Sequence, residues 1–488
     1  MGFEDREGYL YCENVCLKDL QEQLKDAGIF PESPVFVYSK DLILNNVKAY
    51  QQALHNLPND TGLNFSVKAN TNPHLLRILR DEGCSVTLVS GNELRLALQV
   101  GFTPSQMVLN GNGKCRWETR LAVETGCLIN VDSEFDLKQT IEVSKELNLE
   151  ARVLLRINLN IDAHVHPYIS TGMAGSKFGI DEEQLDHVVD LIKTENHIKV
   201  FGLHCHLGST IQDLTAIRLC LKKLKTMINE DRQLDCIDIK YINIGGGLNI
   251  NYLEHVDDTR CIDHEDGQIL KEVEAKLKDL PSNVFKTDHQ KYKNKQINRR
   301  DWIKKLREHD MLPDCILENT TPSIKDLIST VEETGFHHSV KIIVEPGRSI
   351  IGNTAVLLSS VLGCKTSGNI RFIVTTGSMT EVLRPSLYDA YHHIDFTEPV
   401  EDSASHLYNV VGPVCESTDF LGKDRFLKTP HEGCGIAVWD VGAYCSSMSS
   451  NYNCRARPAE ILVDGSSWKI IRKPDSYEEM MSAYEYQQ

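Results

Sequence analysis

The sequence predicts an α/β protein, with a (β/α)8 barrel of the TIM type followed by a C-terminal β domain, either a β-sandwich or a β-barrel. Three observations support this fold class. Eight β-type runs alternate with helical stretches between residues 64 and 347, which favours a barrel over an open sheet. After Arg348 the pattern changes to closely spaced strands and turns. Finally, 488 residues are too many for one hydrophobic core, since single cores stop growing near roughly 250–300 residues.

The barrel strands are predicted from short runs that are rich in apolar and β-branched residues. Between them lie stretches with helical periodicity, such as "NPHLLRILRDEG" (72–83), which ends in Gly where a helix C-cap is expected. Because barrels carry their functional residues at the carboxyl ends of the strands, those ends are the positions to search for chemistry. The eight predicted strands are residues 64–69, 84–90, 106–110, 127–132, 151–158, 199–206, 239–247 and 340–347.

The predicted boundaries divide the chain into three segments. Residues 1–40, which contain the strand pattern "SPVFVYS", are expected to contribute a strand to the β domain. Residues 41–348 form the barrel, and residues 349–488 form the C-terminal β domain. A long polar and basic stretch without clear amphipathicity predicts an insertion near 255–315 on the barrel exterior.

Composition and charge exclude several classes of partner. The formal net charge of −17 argues against nucleic acids and anionic membranes, because both would be repelled. The 15 cysteines are an odd number without paired metal-ligand spacing, so we expect reduced thiols in a cytoplasmic protein and no metal site. The acidic N-terminus lacks the apolar core of a secretory leader, and no apolar run is long enough to span a bilayer.

Four features at the predicted strand ends point to one cofactor. Lys68 ends the first strand, Ser209 follows the sixth, a glycine triplet (245–247) ends the seventh and Arg348 follows the eighth. Successive glycine N–H groups and an arginine fork are suited to holding a phosphate at the mouth of a barrel. A phosphorylated aldehyde that also requires a lysine amine predicts pyridoxal 5'-phosphate.

At this point the chain resembles a known family, the alanine-racemase-like, fold type III pyridoxal-phosphate decarboxylases, and most closely the diaminopimelate decarboxylases. The matching stretches occur in family order over nearly the whole chain outside the insertion, and together they are specific. They include "SVKAN" (66–70), "GLHCHLGS" (202–209), "GGGL" (245–248), "EPGR" (345–348), "RPSLYDAYH" (384–392), "GPVCESTD" (412–419) and "GAYCSSMSSNYNCRARPAE" (442–460).

The resemblance implies roles for individual residues of the barrel. Lys68 would bind the cofactor aldehyde covalently and then shuttle a proton, and His206 would stack on the pyridine ring. Glu345 would hydrogen-bond the pyridine nitrogen and keep it protonated. The remaining residues implied to hold the cofactor, chiefly its phosphate, are Ser209, Gly245, Gly246, Gly247, Gly347, Arg348 and Tyr444.

The resemblance also implies how the substrate is held and what reaction follows. Arg384 and Tyr388, with Arg348 and Tyr444, would bind the substrate and its distal carboxylate. The two remaining implied residues, Glu416 for the distal ammonium and Cys415 as proton donor, would reach into the other subunit's site, which implies a homodimer with shared active sites. The implied reaction is decarboxylation of meso-diaminopimelate to L-lysine and carbon dioxide.

Two departures from the family pattern leave the substrate open. The chain has Thr87 and Thr375 where the family commonly has aspartate. Losing two carboxylates near a charged substrate alters its electrostatic surroundings. Alternative substrates are therefore another diamino acid, a D-configured basic amino acid and a citrate-conjugated siderophore precursor.

Two other classes of protein remain as alternatives. A metal-dependent amidohydrolase is suggested by His204 and His206 in "HCH" and by His164 and His166 in "HVH", but the first strand carries Lys68 where such barrels carry a His pair. A catalytically inactive regulatory homologue would keep the fold alone. Retention of the whole set of predicted catalytic residues argues against it.

Overall fold

In the computed structural model, contacts group the chain into two units. The first unit comprises Met1–Leu42, Asn251–Thr320 and Asn353–Gln488, and the second comprises Ile43–Ile250 and Thr321–Gly352. None of the described helices is long and apolar enough to cross a membrane. The structure describes residues 2–161, 175–230, 234, 237–252, 273–274, 284–294, 302, 305, 321–402 and 404–484.

The elements are numbered in chain order. The strands are β1 (Phe3–Arg6), β2 (Tyr9–Cys12), β3 (Val15–Cys16), β4 (Val35–Ser39), β5 (Thr61–Ser66), β6 (Ser85–Leu88), β7 (Met107–Leu109), β8 (Leu128–Val131), β9 (Ala151–Asn158), β10 (Ile180–Asp181), β11 (Ile198–His204), β12 (Tyr241–Asn243), β13 (Lys341–Val344), β14 (Ala355–Ser367), β15 (Ile370–Thr375), β16 (Ile394–Phe396), β17 (Ser405–Val411), β18 (Phe420–Lys428), β19 (Gly435–Val438), β20 (Ala459–Asp464) and β21 (Ser467–Arg472). The helices are α1 (Leu17–Asp26), α2 (Lys40–His55), α3 (Pro73–Asp81), α4 (Gly91–Val100), α5 (Arg116–Thr125), α6 (Glu134–Leu147), α7 (Glu182–Lys193), α8 (Thr215–Glu230), α9 (Val284–Lys293), α10 (Ile324–Thr334), α11 (Arg348–Ile351), α12 (Arg384–Tyr388) and α13 (Tyr477–Met481).

The second unit is built around a closed parallel barrel. Its strands follow the order β5, β6, β7, β8, β9, β11, β12, β13, and β13 pairs with β5 to close the ring. The two-residue strand β10 pairs with the end of β9 and is not one of the eight strands of the ring. Each of the eight predicted strands overlaps one strand of this ring, so the predicted barrel class is confirmed.

Local sequence explains where the barrel helices begin and end. The Asn72 side chain accepts a hydrogen bond from the His74 N–H at the start of α3, and proline occupies the first helical position. The Ser90 side chain caps α4 in the same way, and Gly101 ends that helix at φ 101°, a left-handed conformation that favours glycine. Each such cap stabilises a helix by about 1 kcal/mol. The apolar faces of both helices are buried against the barrel.

The first unit is built on a mixed sheet. Its main path is β18-β17-β15-β14-β4-β20-β21; off this path, β19 pairs with β14 and β16 pairs with β19. The N-terminal strand β4 pairs antiparallel with β14 and parallel with β20, so it lies inside the sheet rather than at an edge. Helix α1 contributes Leu17, Leu20 and Leu24, all fully buried, to the core of this sheet. The predicted β domain is present, while its boundaries remain a prediction.

The insertion predicted near 255–315 lies for the most part outside the described residues. Its described part includes α9 and Trp302. Tyr292 and Trp302 stack with ring centroids 4.1 Å apart and are both buried. The described part therefore contains a small apolar contact, which the polar composition of this stretch did not predict. Contacts group residues 251–320 with the first unit, whereas the sequence predicted an exterior segment of the barrel.

Candidate active site

Lys68 lies just beyond the first strand of the barrel. The strand was predicted to run to residue 69, but β5 ends at Ser66, and Lys68 occupies a short 3-10 turn. The backbone N–H of Ser66 donates to the Pro346 carbonyl at 2.9 Å, and its hydroxyl donates to the Glu345 carbonyl at 2.9 Å. These bonds fix the end of β5 against the segment after β13. The exposed Lys68 amine and Glu345 therefore belong to the same end of the barrel.

The Glu345 carboxylate is buried and surrounded by hydrogen-bond donors. Its Oε1 accepts from Thr87 Oγ1 at 2.8 Å and from Asn243 Nδ2 at 2.7 Å. Its Oε2 accepts from Asn110 Nδ2 at 3.1 Å and lies 3.4 Å from His204 Nε2. Burial alone would raise the pKa of Glu345, but the polar and charge interactions with His204 and the hydrogen bonds from Asn243 and Thr87 lower it to about 2. The side chain is therefore charged at neutral pH although it is buried.

Asn130 determines which nitrogen of His204 carries the proton. The Asn130 Nδ2 group lies 3.0 Å from His204 Nδ1 and donates to it. The Nδ1 atom is then an acceptor, so Nε2 carries the proton and donates toward Glu345. Burial lowers the pKa of His204, which keeps the ring neutral. Asn130 thus orients a neutral hydrogen-bond donor toward the buried carboxylate.

A buried ion pair adds positive potential to the same region. Arg156 Nη1 lies 3.1 Å from Asp132 Oδ1, and both side chains are buried. Burial lowers the pKa of Arg156, whereas Asp132 and Glu345 act in the opposite direction. The guanidinium remains charged because arginine is not deprotonated in proteins. It helps to keep Glu345 ionised.

The glycine triplet lies where the backbone approaches its neighbours closely. A Cβ atom on Gly246 would lie 2.1 Å from the Glu345 carbonyl oxygen, and one on Gly247 would lie 2.1 Å from the Gly208 carbonyl oxygen. The Gly245 N–H donates to Asn243 Oδ1 at 2.9 Å. Because the Asn243 amide also donates to Glu345, it joins the carboxylate to the glycine loop. The tight approach thus requires glycine at 246 and 247.

The loop after β11 runs beside this glycine loop. Ile211 N–H donates to the Gly247 carbonyl at 2.9 Å, so Ser209 lies in a segment paired with the triplet. His206 Nδ1 accepts from the Gly246 N–H at 3.3 Å. Burial, followed by the positive charges of Lys68 and Arg156, holds the pKa of His206 well below its usual value. A neutral imidazole at this position is suited to stacking on an aromatic ring.

Gly347 and Arg348 follow directly on Glu345. Arg348 is the first residue of α11 and is buried. The next residue, Ser349, shares a 2.6 Å hydrogen bond with the Tyr50 hydroxyl, which anchors this turn to α2. The structure thus brings together, at one end of the barrel, all the predicted site residues of the second unit: Lys68, His206, Ser209, Gly245, Gly246, Gly247, Glu345, Gly347 and Arg348.

In the first unit, Arg384 is held by a histidine relay. His392 Nδ1 donates to the Trp439 carbonyl at 2.8 Å, which leaves Nε2 to accept from Arg384 Nη1 at 2.7 Å. The guanidinium also lies 4.9 Å from the centroid of the Tyr252 ring. Arg384 is 4% exposed, so its orientation is set by buried neighbours rather than by solvent. Tyr388 ends the same helix, α12, and is half-buried.

Cys415 and Glu416 lie on an exposed loop between β17 and β18. Asp419 anchors this loop, because its carboxylate accepts from the Val414 N–H at 2.8 Å and from the Met379 N–H at 2.7 Å. Both Cys415 and Glu416 are exposed in the single chain. The loop therefore presents a thiol and a carboxylate outward from an ordered base.

Tyr444 adopts a backbone conformation that is uncommon for a bulky residue. Its φ of 58° lies in the left-handed region, and its side chain is half-buried. Such conformations cost on the order of 1–3 kcal/mol and persist where the surroundings impose them. They cluster at functional sites, which agrees with the predicted role of Tyr444 but does not test it.

Sequence reasoning missed most of the residues around Glu345. Asn110 and Asn243 lie at the ends of strands, where polar residues in an apolar pattern were a usable signal. The sequence suggests His204 only as a metal ligand, but its Nδ1 accepts from Asn130 and its Nε2 faces the Glu345 carboxylate at 3.4 Å. The other pair in that hypothesis, His164 and His166, lies outside the described residues.

The two departures from the family pattern have specific roles in this chain. Thr87 replaces an aspartate with a neutral donor, so Glu345 gains a hydrogen bond. Thr375 Oγ1 donates to the Gly377 carbonyl at 2.9 Å within the first unit. Each threonine hydroxyl therefore has a hydrogen-bond acceptor.

The donor set at the barrel end fits pyridoxal 5'-phosphate. Glu345 supplies a charged carboxylate for a protonated ring nitrogen, and the amine of Lys68 belongs to the same barrel end. Asn110 Oδ1 is buried without a hydrogen-bond partner among the described residues, so the site retains unused acceptor capacity. The glycine loop and Arg348 supply the groups that a phosphate requires.

Comparisons with known proteins agree with this chemistry and confirm the resemblance found in the sequence. Residues 41–291 match a family model described as "Pyridoxal-dependent decarboxylase, pyridoxal binding domain". The chain is 39% identical to a probable chloroplastic diaminopimelate decarboxylase of Oryza sativa, over 98% of this chain and 84% of the relative. It is 34% identical to the diaminopimelate decarboxylase of Aquifex aeolicus, over 97% of this chain and 95% of the relative.

A solved structure extends the similarity to three dimensions. The crystal structure of diaminopimelate decarboxylase from M. jannaschii in complex with L-lysine has a TM-score of 0.80 and 26% identity, and the match covers 100% of this chain and 98% of that chain. The relatives and the solved structure match this chain over almost its full length, and the family model matches residues 41–291. The chain therefore belongs to the family of pyridoxal-dependent decarboxylases.

Proposed function

We propose that this chain is a pyridoxal-phosphate-dependent carboxy-lyase that converts meso-diaminopimelate to L-lysine and carbon dioxide. The observation that carries the proposal is the Glu345 carboxylate, which is buried and yet charged at the same barrel end as Lys68. Holding a buried charge is costly unless it is paired. A protonated pyridine nitrogen is the partner that such a carboxylate suits.

Pyridoxal phosphate, when bound, supplies an electron sink for the carbon that loses carbon dioxide. Within the proposal, Lys68 holds the cofactor through its amine and then moves a proton to and from the substrate. Glu345 holds the proton on the ring nitrogen, and Thr87, Asn243 and neutral His204 keep Glu345 ionised while it does so.

The remaining cofactor contacts are also proposals. His206 would cover one ring face as a neutral imidazole. Backbone N–H groups of the glycine loop would orient the phosphate, as oriented amides do at other phosphate sites. The further residues proposed to hold the phosphate are Ser209, Gly347, Arg348 and Tyr444.

Substrate selection is proposed to depend on the first unit. Arg384 would bind the distal carboxylate, with Tyr388, Arg348 and Tyr444 beside it. The His392 relay supports this role, because it orients the guanidinium in advance and reduces the entropy lost on binding. Glu416 would pair with the distal ammonium.

We further propose a homodimer whose two active sites are shared between subunits. Cys415 of one subunit would protonate the substrate carbon in the site of the other, with Glu416 beside it. The ordered, exposed loop that carries both residues supports this proposal. Free thiols support a cytoplasmic location, since all cysteines in the described part of the chain are unbridged.

The choice of diaminopimelate over other substrates depends on the relatives. The curated relatives quoted above are named diaminopimelate decarboxylases, and the M. jannaschii enzyme was crystallised with L-lysine. L-lysine is the product that this reaction would release. The replacement of aspartate by Thr87 is compatible with this substrate, because Thr87 donates a hydrogen bond to Glu345, the residue proposed to contact the cofactor.

A carbon dioxide release assay tests the proposal. The holoenzyme is supplied separately with meso-diaminopimelate, D- and L-lysine, D- and L-ornithine, and citrate-conjugated diamines. We expect release from meso-diaminopimelate in preference to every other compound, with L-lysine as the second product. Preferred release from another compound would assign that substrate instead. No release from any of them, with the cofactor fully bound, would indicate an inactive homologue.

A further inference from the structure

A cluster of metal-ligating side chains lies in the first unit, among residues that the proposed reaction does not use. Glu398, His431 and Cys434 each offer a ligand atom, and these atoms all lie within 4.8 Å of one another. His431 and Cys434 belong to one tight turn, "HEGC" (431–434), in which Gly433 adopts φ 83°. The two-residue spacing of His431 and Cys434 matches the paired ligands of structural zinc sites.

The backbone holds this turn in a fixed position. The Gly433 N–H donates to the Val361 carbonyl at 2.8 Å, and the Val361 N–H donates to the Cys434 carbonyl at 2.9 Å. Glu398 follows β16, and its carboxylate accepts from the Gly435 N–H at 3.3 Å. The ligands therefore come from two segments that the sheet already joins. Little entropy would be lost in bringing them around an ion.

His431 carries its proton on Nδ1, which leaves Nε2 available to bind a metal. His431 Nδ1 lies 2.9 Å from the Glu432 carbonyl. A carbonyl can only accept, so Nδ1 carries the proton and Nε2 keeps its lone pair. Donation of the second ring N–H to a backbone carbonyl is the usual arrangement for a metal-bound histidine.

The third ligand is a buried thiol. Cys434 is fully buried, and its Sγ lies 3.6 Å from the Gly435 carbonyl oxygen. Coordination would require the thiolate, so each ion bound would release one proton.

We propose that Glu398, His431 and Cys434 form a zinc site, with a water molecule in the fourth position. Mixed sulfur, nitrogen and carboxylate ligands are the set that Zn²⁺ prefers in a tetrahedral site. The sequence expectation of no metal site considered cysteine pairs and histidine pairs separately and therefore missed a mixed histidine–cysteine pair. Bound zinc would hold the end of β16 to the turn before β19 and so stabilise the β sheet.

A change at Lys18 should strengthen zinc binding, whereas changes at the ligands should weaken it. Its ammonium lies 3.0 Å from Glu398 Oε1 and competes with a cation for the carboxylate. Removing this charge with Lys18→Ala should strengthen zinc binding severalfold, because it eliminates repulsion between two cations. Removing a ligand should have the reverse effect.

The test is equilibrium dialysis of the full-length holoenzyme against Zn²⁺, with metal counted by mass spectrometry. We expect about one zinc per chain, and binding at least tenfold weaker in Cys434→Ser and in His431→Asn. The matched controls are Cys127→Ser, at another buried free cysteine, and His338→Asn, at another exposed histidine. Both should bind zinc as the parent does.

Two results would overturn the proposal. The first is absence of stoichiometric zinc in the parent at micromolar concentrations of free Zn²⁺. The second is parental zinc affinity in His431→Asn, a variant whose exposed position should leave the fold intact even if Cys434→Ser does not fold. Carbon dioxide release by each variant confirms that the protein tested is folded.

Discussion

Replacing Glu345 with Gln separates the charge of the buried carboxylate from its shape. The Gln oxygen can still accept from Thr87 and Asn243, but the amide NH₂ replaces Oε2. That NH₂ would face Asn110 Nδ2, which lies 3.1 Å from Oε2, and His204 Nε2, at 3.4 Å, so donors would meet donors. Asn110 can turn its amide, whereas His204 cannot change tautomer without losing its bond to Asn130.

The structure sets the size of the expected effects. The contact of the His204 N–H with a charged oxygen is replaced by a contact between two donors, which should lower the free energy of unfolding at neutral pH by about 1.5–3 kcal/mol. Loss of the charge that keeps the cofactor ring nitrogen protonated should lower kcat/KM by about 10²–10⁴-fold, the range typical of proton-transfer groups. We expect bound cofactor to remain present, because Lys68 and the glycine loop are unchanged.

The pH dependence of stability gives a second measure of the same charge. The pKa of Glu345 is lowered from its ordinary value of 4.5 to about 2, which corresponds to stabilisation on the order of 3 kcal/mol. This stabilisation is complete above pH 4.5 and is lost as the pH falls toward 2. Since Gln does not titrate, the stability of Glu345→Gln should decline less steeply than that of the parent below about pH 4.5.

Carbon dioxide release measures the activity, and absorbance measures the bound cofactor. Urea unfolding measures the stability, at pH values from 6 down to the lowest at which both proteins fold. Glu345→Asp retains the charge and should keep more activity than Glu345→Gln, while the exposed Glu182→Gln should match the parent. A Glu345→Gln enzyme within threefold of the parental rate, with normal cofactor content, would refute the assigned role. If the stabilities of the parent and of Glu345→Gln fall equally steeply below about pH 4.5, the lowered pKa of Glu345 is refuted.

Four further predictions follow from the site. Lys68→Ala should lose turnover and borohydride-trappable cofactor while its circular dichroism spectrum stays parental; normal trapping would remove Lys68 from the mechanism. Arg384→Ala should lower kcat/KM by an amount that corresponds to about 2–5 kcal/mol of transition-state stabilisation, because the desolvated substrate carboxylate is left unpaired. The cofactor spectrum should stay unchanged. Equal activity of the parent on substrates without a distal carboxylate would contradict that role. Refolding Lys68→Ala with Cys415→Ala in equal amounts should restore about a quarter of parental activity, because half of the dimers are then mixed and each mixed dimer has one intact site. If mixed dimers are shown to form and no activity returns, the sites are not shared. Asn130→Leu removes the donor that sets the His204 tautomer, so kcat should fall and its pH profile shift, whereas an unchanged profile would limit Asn130 to packing.

The strands of the barrel were predictable because their signals are local. Each is a short apolar run followed by a turn, and its carboxyl end carries the chemistry, as with Lys68 after β5 and Glu345 after β13. The hydrogen-bond network around Glu345 was not predictable in this way. It depends on which strands face each other across the closed ring, and Asn110, Asn130 and Asn243 come from three different strand ends.

The first unit was harder to predict for a related reason. Strands β1, β2 and β3 form a small sheet from short segments, such as "FEDR" and "YLYC", that lack a strong alternating pattern. Polar residues likewise interrupt the alternating pattern of β16, β17 and β18. Pairing with other strands, rather than the propensity of each single segment, forms them, since β1 and β3 both pair with β2, and β17 pairs with β18 and β15.

The interior position of β4 has a consequence for how the chain is made. Both neighbours of this strand belong to the C-terminal part of the chain, and β20 begins at Ala459, 420 residues after the end of β4 at Ser39. At typical translation rates the nascent strand, "VFVYS", waits roughly 20–80 s for its second partner. Both of its hydrogen-bonding edges are open to other chains until β14 is made, and the edge that pairs with β20 stays open for the whole interval. Ribosome-bound fragments that end before β14 should therefore require chaperone cover, while the barrel, whose strands are all complete by Val344, can form first.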